Sequence, residues 1–100
     1  MSILELFSAV KEQNLTKTQL ENYHSVLSSL YADMSIEVAE IKKERAVYYY
    51  ERTKPDVSDI SIRRSWEVTE KGQRLILVEA YVKATSKLLS SLKSRLYSIY

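Results

Sequence analysis

The residues Leu75, Val78, Val82, Thr85, Leu89, Leu92, Leu96 and Ile99 step by 3-4-3-4-3-4-3, an unbroken heptad seam. A seam of this kind commits the end of the chain to a long helix packed against another helix. A second stripe, Leu20, Tyr23, Leu27, Leu30, Met34, Val38 and Ile41, advances by three or four residues and nothing breaks it before Thr53, which predicts a long helix over about 16–53. Between the two stripes, Lys54-Pro55-Asp56-Val57-Ser58-Asp59 holds the only proline and two candidate N-caps, so the chain reverses over 54–58 and a last helix spans about 59–99. Gly72 costs a helix interior about 1 kcal/mol against alanine and leaves two alternatives open, a continuous helix or one kinked or split near that residue.

A short first helix over about 2–13 precedes the hairpin. Ser2 and Glu5 have capping-box spacing, and Ile3, Leu6, Phe7 and Val10 follow at helical intervals. Thr16 with Gln19 repeats the box, and Leu15 with Leu20 holds the two positions of a hydrophobic staple at the entry to the second helix. The predicted class is all-α: a short N-terminal helix and a long, coiled-coil-like antiparallel hairpin in a single helical domain. Composition agrees, since 100 residues with 45% hydrophobic side chains, one Gly and one Pro are too apolar for disorder and too poor in turn formers for many short strands.

A two-helix hairpin buries little surface alone. The last helix also carries a second stripe, Leu77, Tyr81, Ala84 and Leu88, which one partner helix cannot cover. The expectation is therefore a homo-oligomer, with the first helix packed on the hairpin base or exchanged with a neighbour.

The function classes narrow by exclusion. The absence of cysteine rules out a disulfide scaffold, an iron–sulfur cluster and thiolate zinc sites, and suits a reducing compartment. No run approaches the roughly 18 apolar residues of a membrane span, and the start MSILELFSAVKEQ has no basic n-region, so a cytoplasmic protein without membrane contact is expected. His24 is the sole histidine and stands beside the apolar stripe, which favours a structural or solvent-facing role over catalysis. Glu37, Glu40 and Glu44 share one helix face, yet the E-x-x-H partner of a bundle metal site is missing, and there is no phosphate-binding G-x-x-x-x-G-K-[ST] loop. The first 41 residues contain no arginine, unlike small helical mutases that hold dicarboxylates with arginines on a long first helix. No enzyme activity and no cofactor are expected.

The net charge of +2 conceals a gradient. Residues 1–41 carry two lysines against six carboxylates, residues 42–74 nine basic against six acidic groups, and residues 75–100 four against one. Basic charge that begins in mid-chain makes a polyanion a plausible partner. The richest stretch is Lys42-Lys43-Glu44-Arg45-Ala46-Val47-Tyr48-Tyr49-Tyr50-Glu51-Arg52. Lys42, Arg45 and Tyr49 share a face, and three consecutive tyrosines cannot all enter one seam, so at least one ring must reach solvent or another chain. After the reversal, Arg63, Arg64 and Trp66 return alongside. Cations that track phosphates beside rings that stack on bases are the equipment of sequence-tolerant single-strand binders. The candidate nucleic-acid-binding residues are thus Lys42, Lys43, Arg45, Tyr48, Tyr49, Tyr50, Arg52, Arg63 and Arg64. A purely structural use stays open, because tyrosines fill helix interfaces, Trp66 suits a core anchor, and Lys or Arg beside Glu suits a solvated face.

The order of elements and two local patterns add a resemblance. Lys43-x-Arg45-x-x-Tyr48-Tyr49 at the end of the long helix and Leu92-Lys93-Ser94-Arg95 near the end of the last one resemble the UvsY family of phage recombination mediators. The resemblance implies an oligomeric all-helical protein that binds single-stranded DNA and helps a RecA-like recombinase load where single-strand binding protein sits, acting in the host cytoplasm if phage-encoded. It carries a DNA-binding role over to Lys43 and Arg45. The chain departs from the family in having a tight turn in place of a longer acidic connection. Separately, Trp66-x-x-Thr69-x-x-Gly72-Gln73 is similar to a pattern in small phage proteins of unassigned role. Two other readings remain beside this one: a phage-type interaction protein that inhibits a host defence protein, and a bare oligomerisation module.

Overall fold

A computed structural model describes residues 2–99, with side chains through Ser98, so the seam position Ile99 is described in its backbone only. Its elements are α1 (Ile3–Val10), α2 (Lys17–Arg52), α3 (Asp59–Glu67) and α4 (Glu70–Ile99). The fold is all-helical, and none of the described helices is long and apolar enough to cross a membrane. The chain divides into two compact units: residues up to Asp33 together with those from Val82 onward, and Met34–Tyr81.

In the first unit the helix starts follow the sequence closely. Ser2 Oγ accepts from Glu5 N at 3.1 Å. At the start of α2, Thr16 Oγ1 accepts from Gln19 N while Thr16 N donates to Gln19 Oε1, the reciprocal capping box. Leu15 and Leu20 are both buried, which closes the staple. Helix α1 ends at Val10, three residues before the expected boundary, and buries Leu6, Phe7 and Val10. Its end is held by Arg95 of α4, whose guanidinium donates to Val10 O at 2.8 Å and Glu12 O at 2.6 Å. Orphan carbonyls at a helix terminus need donors, and the arginine fork supplies one to Val10 and a second to the chain just beyond the helix. The first helix therefore packs on its own chain.

In the second unit, α2 and α4 are antiparallel, since Glu37 meets Arg74 while Glu44, further along α2, meets Lys71, earlier on α4. Ile41, Trp66 and Leu75 form a buried cluster against which Val38, Tyr48 and Tyr49 pack. Salt bridges flank it, Lys42 to Glu79 at 3.4 Å and Lys71 to Glu44 at 3.8 Å. Within each unit the most buried seam residues stand seven positions apart along a helix: Leu20 and Leu27 of α2 and Thr85 and Leu92 of α4 in the first unit, Met34 and Ile41 of α2 in the second. Such positions point straight at the partner helix.

Of the two alternatives left open for the stretch 59–99, a continuous helix or one split near Gly72, the structure has the split. The chain leaves α3 after Glu67 and restarts at Glu70, so the interruption lies at Val68-Thr69 and Gly72 falls inside the first turn of α4. The pattern Trp66-x-x-Thr69-x-x-Gly72-Gln73 builds this corner. Trp66 O accepts from Thr69 N at 3.0 Å and from Thr69 Oγ1 at 2.6 Å. Thr69 Oγ1 in turn accepts from Gly72 N at 3.0 Å as an N-cap, and the Gln73 amide donates to Glu67 O. Gly72 has no positive φ; it is glycine because a Cβ there would collide with Trp66 O.

Candidate nucleic-acid interface

The aromatic and basic stretch at the end of α2 divides between two faces. Tyr48 lies seven residues beyond Ile41 and continues its inward row. Its ring meets Trp66 edge-on with centroids 5.3 Å apart, and its hydroxyl bonds Ser65 Oγ at 2.7 Å. Arg52 closes over the other side: its guanidinium carbon lies 3.5 Å from the Tyr48 centroid, and Nη1 donates to Tyr48 O at 3.3 Å. A cation at the last turn of a helix also faces the negative end of the helix dipole. Tyr49 is half-buried against the same cluster. Trp66 is only 5% exposed. The indole expected among cations and rings at the turn is therefore a core anchor, because α3 folds it directly onto Leu75 and Ile41.

The outward face is different. Lys43, Val47 and Tyr50 advance by four and three residues on the side of α2 away from Ile41. Tyr50 is 84% exposed, so one ring of the three does reach solvent. Lys43 is exposed and has no carboxylate partner among the described residues, and Lys54 beyond the helix end is likewise exposed and unpaired. Val47 and Ile36 on this face are each more than half exposed.

The remaining candidates are scattered. Lys42 is engaged with Glu79, and Arg63 with Glu67 at 3.9 Å across one helical turn. Arg64 is exposed on the side of α3 opposite Ile62 and Trp66 and pairs with nothing among the described residues. Arg45 is half-buried between Ile41 and Tyr48 on the inward side of α2, also without a carboxylate partner among the described residues. The nine candidates thus do not form one surface: Lys43 and Tyr50 face outward together, Arg45, Tyr48 and Tyr49 lie on the inward side with Arg52 over Tyr48, Lys42 is engaged with Glu79, and Arg63 and Arg64 belong to α3.

Electrostatic perturbation centres on Glu37. Arg74 donates to it twice, Nε to Oε2 at 2.6 Å and Nη2 to Oε1 at 2.9 Å. These bonds hold the Glu37 carboxyl below its ordinary value and raise Arg74 further. The pair is a structural clamp between α2 and α4, set apart from the outward face. A further exposed ring lies outside the sequence candidates: Tyr97 of α4, which follows Lys93 by one helical turn.

Comparison with protein families, with characterised proteins and with solved structures finds no match to this chain.

Proposed function

We propose that this chain is a non-catalytic, self-associating accessory protein of DNA recombination that binds single-stranded DNA on the outward face of α2. In this reading it acts in the cytoplasm and helps a RecA-like recombinase load where single-strand binding protein is present. The observation that carries the reading is the pairing of Lys43 with Tyr50 on one exposed face: an uncommitted ammonium and an open ring two turns apart, with Lys54 beyond them. Phosphates are held by the cations and a base stacks on the ring. The signature resemblance to UvsY-type mediators falls on Lys43 and on Arg45, whose guanidinium has no carboxylate to neutralise it among the described residues. Tyr48, Tyr49 and Arg52 support the helix end that presents Tyr50. Self-association is supported by α4, where Ile76 and Leu77 are about half exposed. Several copies joined in one particle convert weak individual contacts into avidity.

The test is a salt titration of single-strand affinity with the intact chain and a Lys43→Ala/Tyr50→Ala variant. Affinity should fall steeply between about 50 and 200 mM salt, and the variant should bind weakly at every salt concentration. Salt-independent binding, or undiminished binding by the variant, overturns the reading. Ile36 and Val47 on the same face favour a second reading, a docking surface for a protein such as a host defence enzyme. Tight capture of one protein with no affinity for DNA would select it.

A further inference from the structure

We propose that Tyr97 is the stacking platform of a second nucleotide-binding site, formed in the first unit where α2 begins and α4 ends. The inference rests on the single-strand reading and extends it to a surface outside the Lys43 face, to which the Lys-x-Arg signature does not reach. An exposed tyrosine is unremarkable by itself. What distinguishes this one is the pair of hollows it borders. Tyr97 is 78% exposed and lines two hollows of about 620 and 630 Å3. The first is lined by Lys17, Glu21, His24, Lys93 and Leu96 together with Tyr97. The second is lined by Ser90, Ser94 and Ser98, again with Lys93 and Tyr97. The exposed ring thus borders both hollows, and so does the Lys93 ammonium.

The chemistry matches a flat aromatic group joined to an anion. Lys93 Nζ lies 5.9 Å from the Tyr97 centroid, at the outer limit of a cation–π contact, so it loses little in turning to a phosphate. Lys17 is held by Glu21 at 3.9 Å, and both side chains are more than half exposed. Such a pair is weak and yields to a competing diester. Two lysines against one carboxylate leave the hollow net positive, with the His24 imidazole as a further polar group on its wall. At the second hollow the serine hydroxyls offer hydrogen bonds to a base edge or sugar, Ser98 already donating to Ser94 O at 2.8 Å. Leu96 adds an apolar side chain to the wall of the first hollow. A nucleobase stacks on any aromatic face irrespective of its identity, so this site, like the proposed one on α2, is sequence-tolerant.

The experiment is ultraviolet crosslinking of the intact chain to an oligothymidylate carrying 5-iodouracil, with adducts mapped by mass spectrometry and affinity measured in parallel. An adduct on Tyr97, with affinity retained in Tyr97→Phe and reduced at least about fivefold in Tyr97→Ala, is the expected result. The ring's exposure keeps the substitution from disturbing the fold, which an unchanged thermal midpoint verifies. Adducts on Tyr50 with none on Tyr97, or full affinity in Tyr97→Ala, overturn this inference and leave the Lys43 and Tyr50 reading standing. Absence of any strand binding overturns both. An acidic peptide that competes as well as the oligonucleotide at Tyr97 also overturns it, by replacing base stacking with unspecific charge.

Discussion

The carbonyl oxygen of Trp66 lies where a side chain on residue 72 would have to begin, so the backbone of α3 and the first turn of α4 meet at Gly72 with no room for a methyl group. The contact fixes the corner between the two helices. It also explains why the sole glycine of the chain stands inside a helix, where it is otherwise unfavourable.

Gly72→Ala should therefore reverse the usual helix preference. Alanine gains up to about 1 kcal/mol in an ordinary helix interior, whereas here the neighbour is backbone and cannot turn aside. A net loss of roughly 1–3 kcal/mol is expected, read as a lower urea midpoint. Thr69→Val, which removes the N-cap hydroxyl and its bond to Trp66 O, should destabilise the same corner by about 1 kcal/mol. A stabilised Gly72→Ala variant would contradict the packing described.

The corner also shows where sequence reading stops. Helix starts were legible because capping boxes are local: Ser2 with Glu5 and Thr16 with Gln19 carry their own partners. The seams were legible because burial follows period, as in Leu20, Leu27, Met34 and Ile41. A split near Gly72 was one of two alternatives the glycine left open; its place at Val68-Thr69 was not legible, because what demands glycine at 72 is a carbonyl six residues earlier that reaches it only after the chain has turned. The candidate site was half legible. That one tyrosine of three must face outward follows from helical geometry, and the inward row from Ile41 to Tyr48 identifies Tyr50 as the outward ring. That Lys42 is engaged with Glu79 depends on the register between α2 and α4, which no local pattern encodes.

Arg95 makes the docking of α1 testable. It bonds two backbone carbonyls at once, which a planar five-donor group does and a lysine cannot reproduce. Arg95→Ala and Arg95→Lys should both loosen α1, the first by about 1–3 kcal/mol. Hydrogen exchange at amides of residues 6–10 should accelerate, while the amides around Ile41 and Leu75 keep their protection. Uniform acceleration across the chain would mean that α1 is not a separately docked element.

Thr85 is fully buried in the α4 seam, and its hydroxyl has no hydrogen-bond partner among the described residues. A desolvated hydroxyl without a partner costs about 1–3 kcal/mol. Valine has nearly the same shape and belongs in a heptad seam. Thr85→Val should accordingly raise stability by about 1 kcal/mol, measured as a higher urea midpoint with an unchanged slope. Destabilisation would indicate that the hydroxyl is satisfied in solution.

The Glu37–Arg74 clamp gives the fold a defined acid response. The folded-state value of Glu37 lies below its ordinary 4.5, so the unfolded chain binds the proton more readily. Stability from this group is therefore fully present above the unfolded value and is lost as pH falls through the depressed folded value. Arg74, raised from an already high value, stays charged throughout and adds nothing to the response in this range. Glu37→Gln should lower the urea midpoint at about pH 7, and the difference from the parent should vanish at acid pH, where the parent carboxyl is itself protonated. Because both side chains are partly exposed, added salt should shrink the neutral-pH difference as well. A difference that persists unchanged in acid would assign the effect of the substitution to packing rather than to the charge on Glu37.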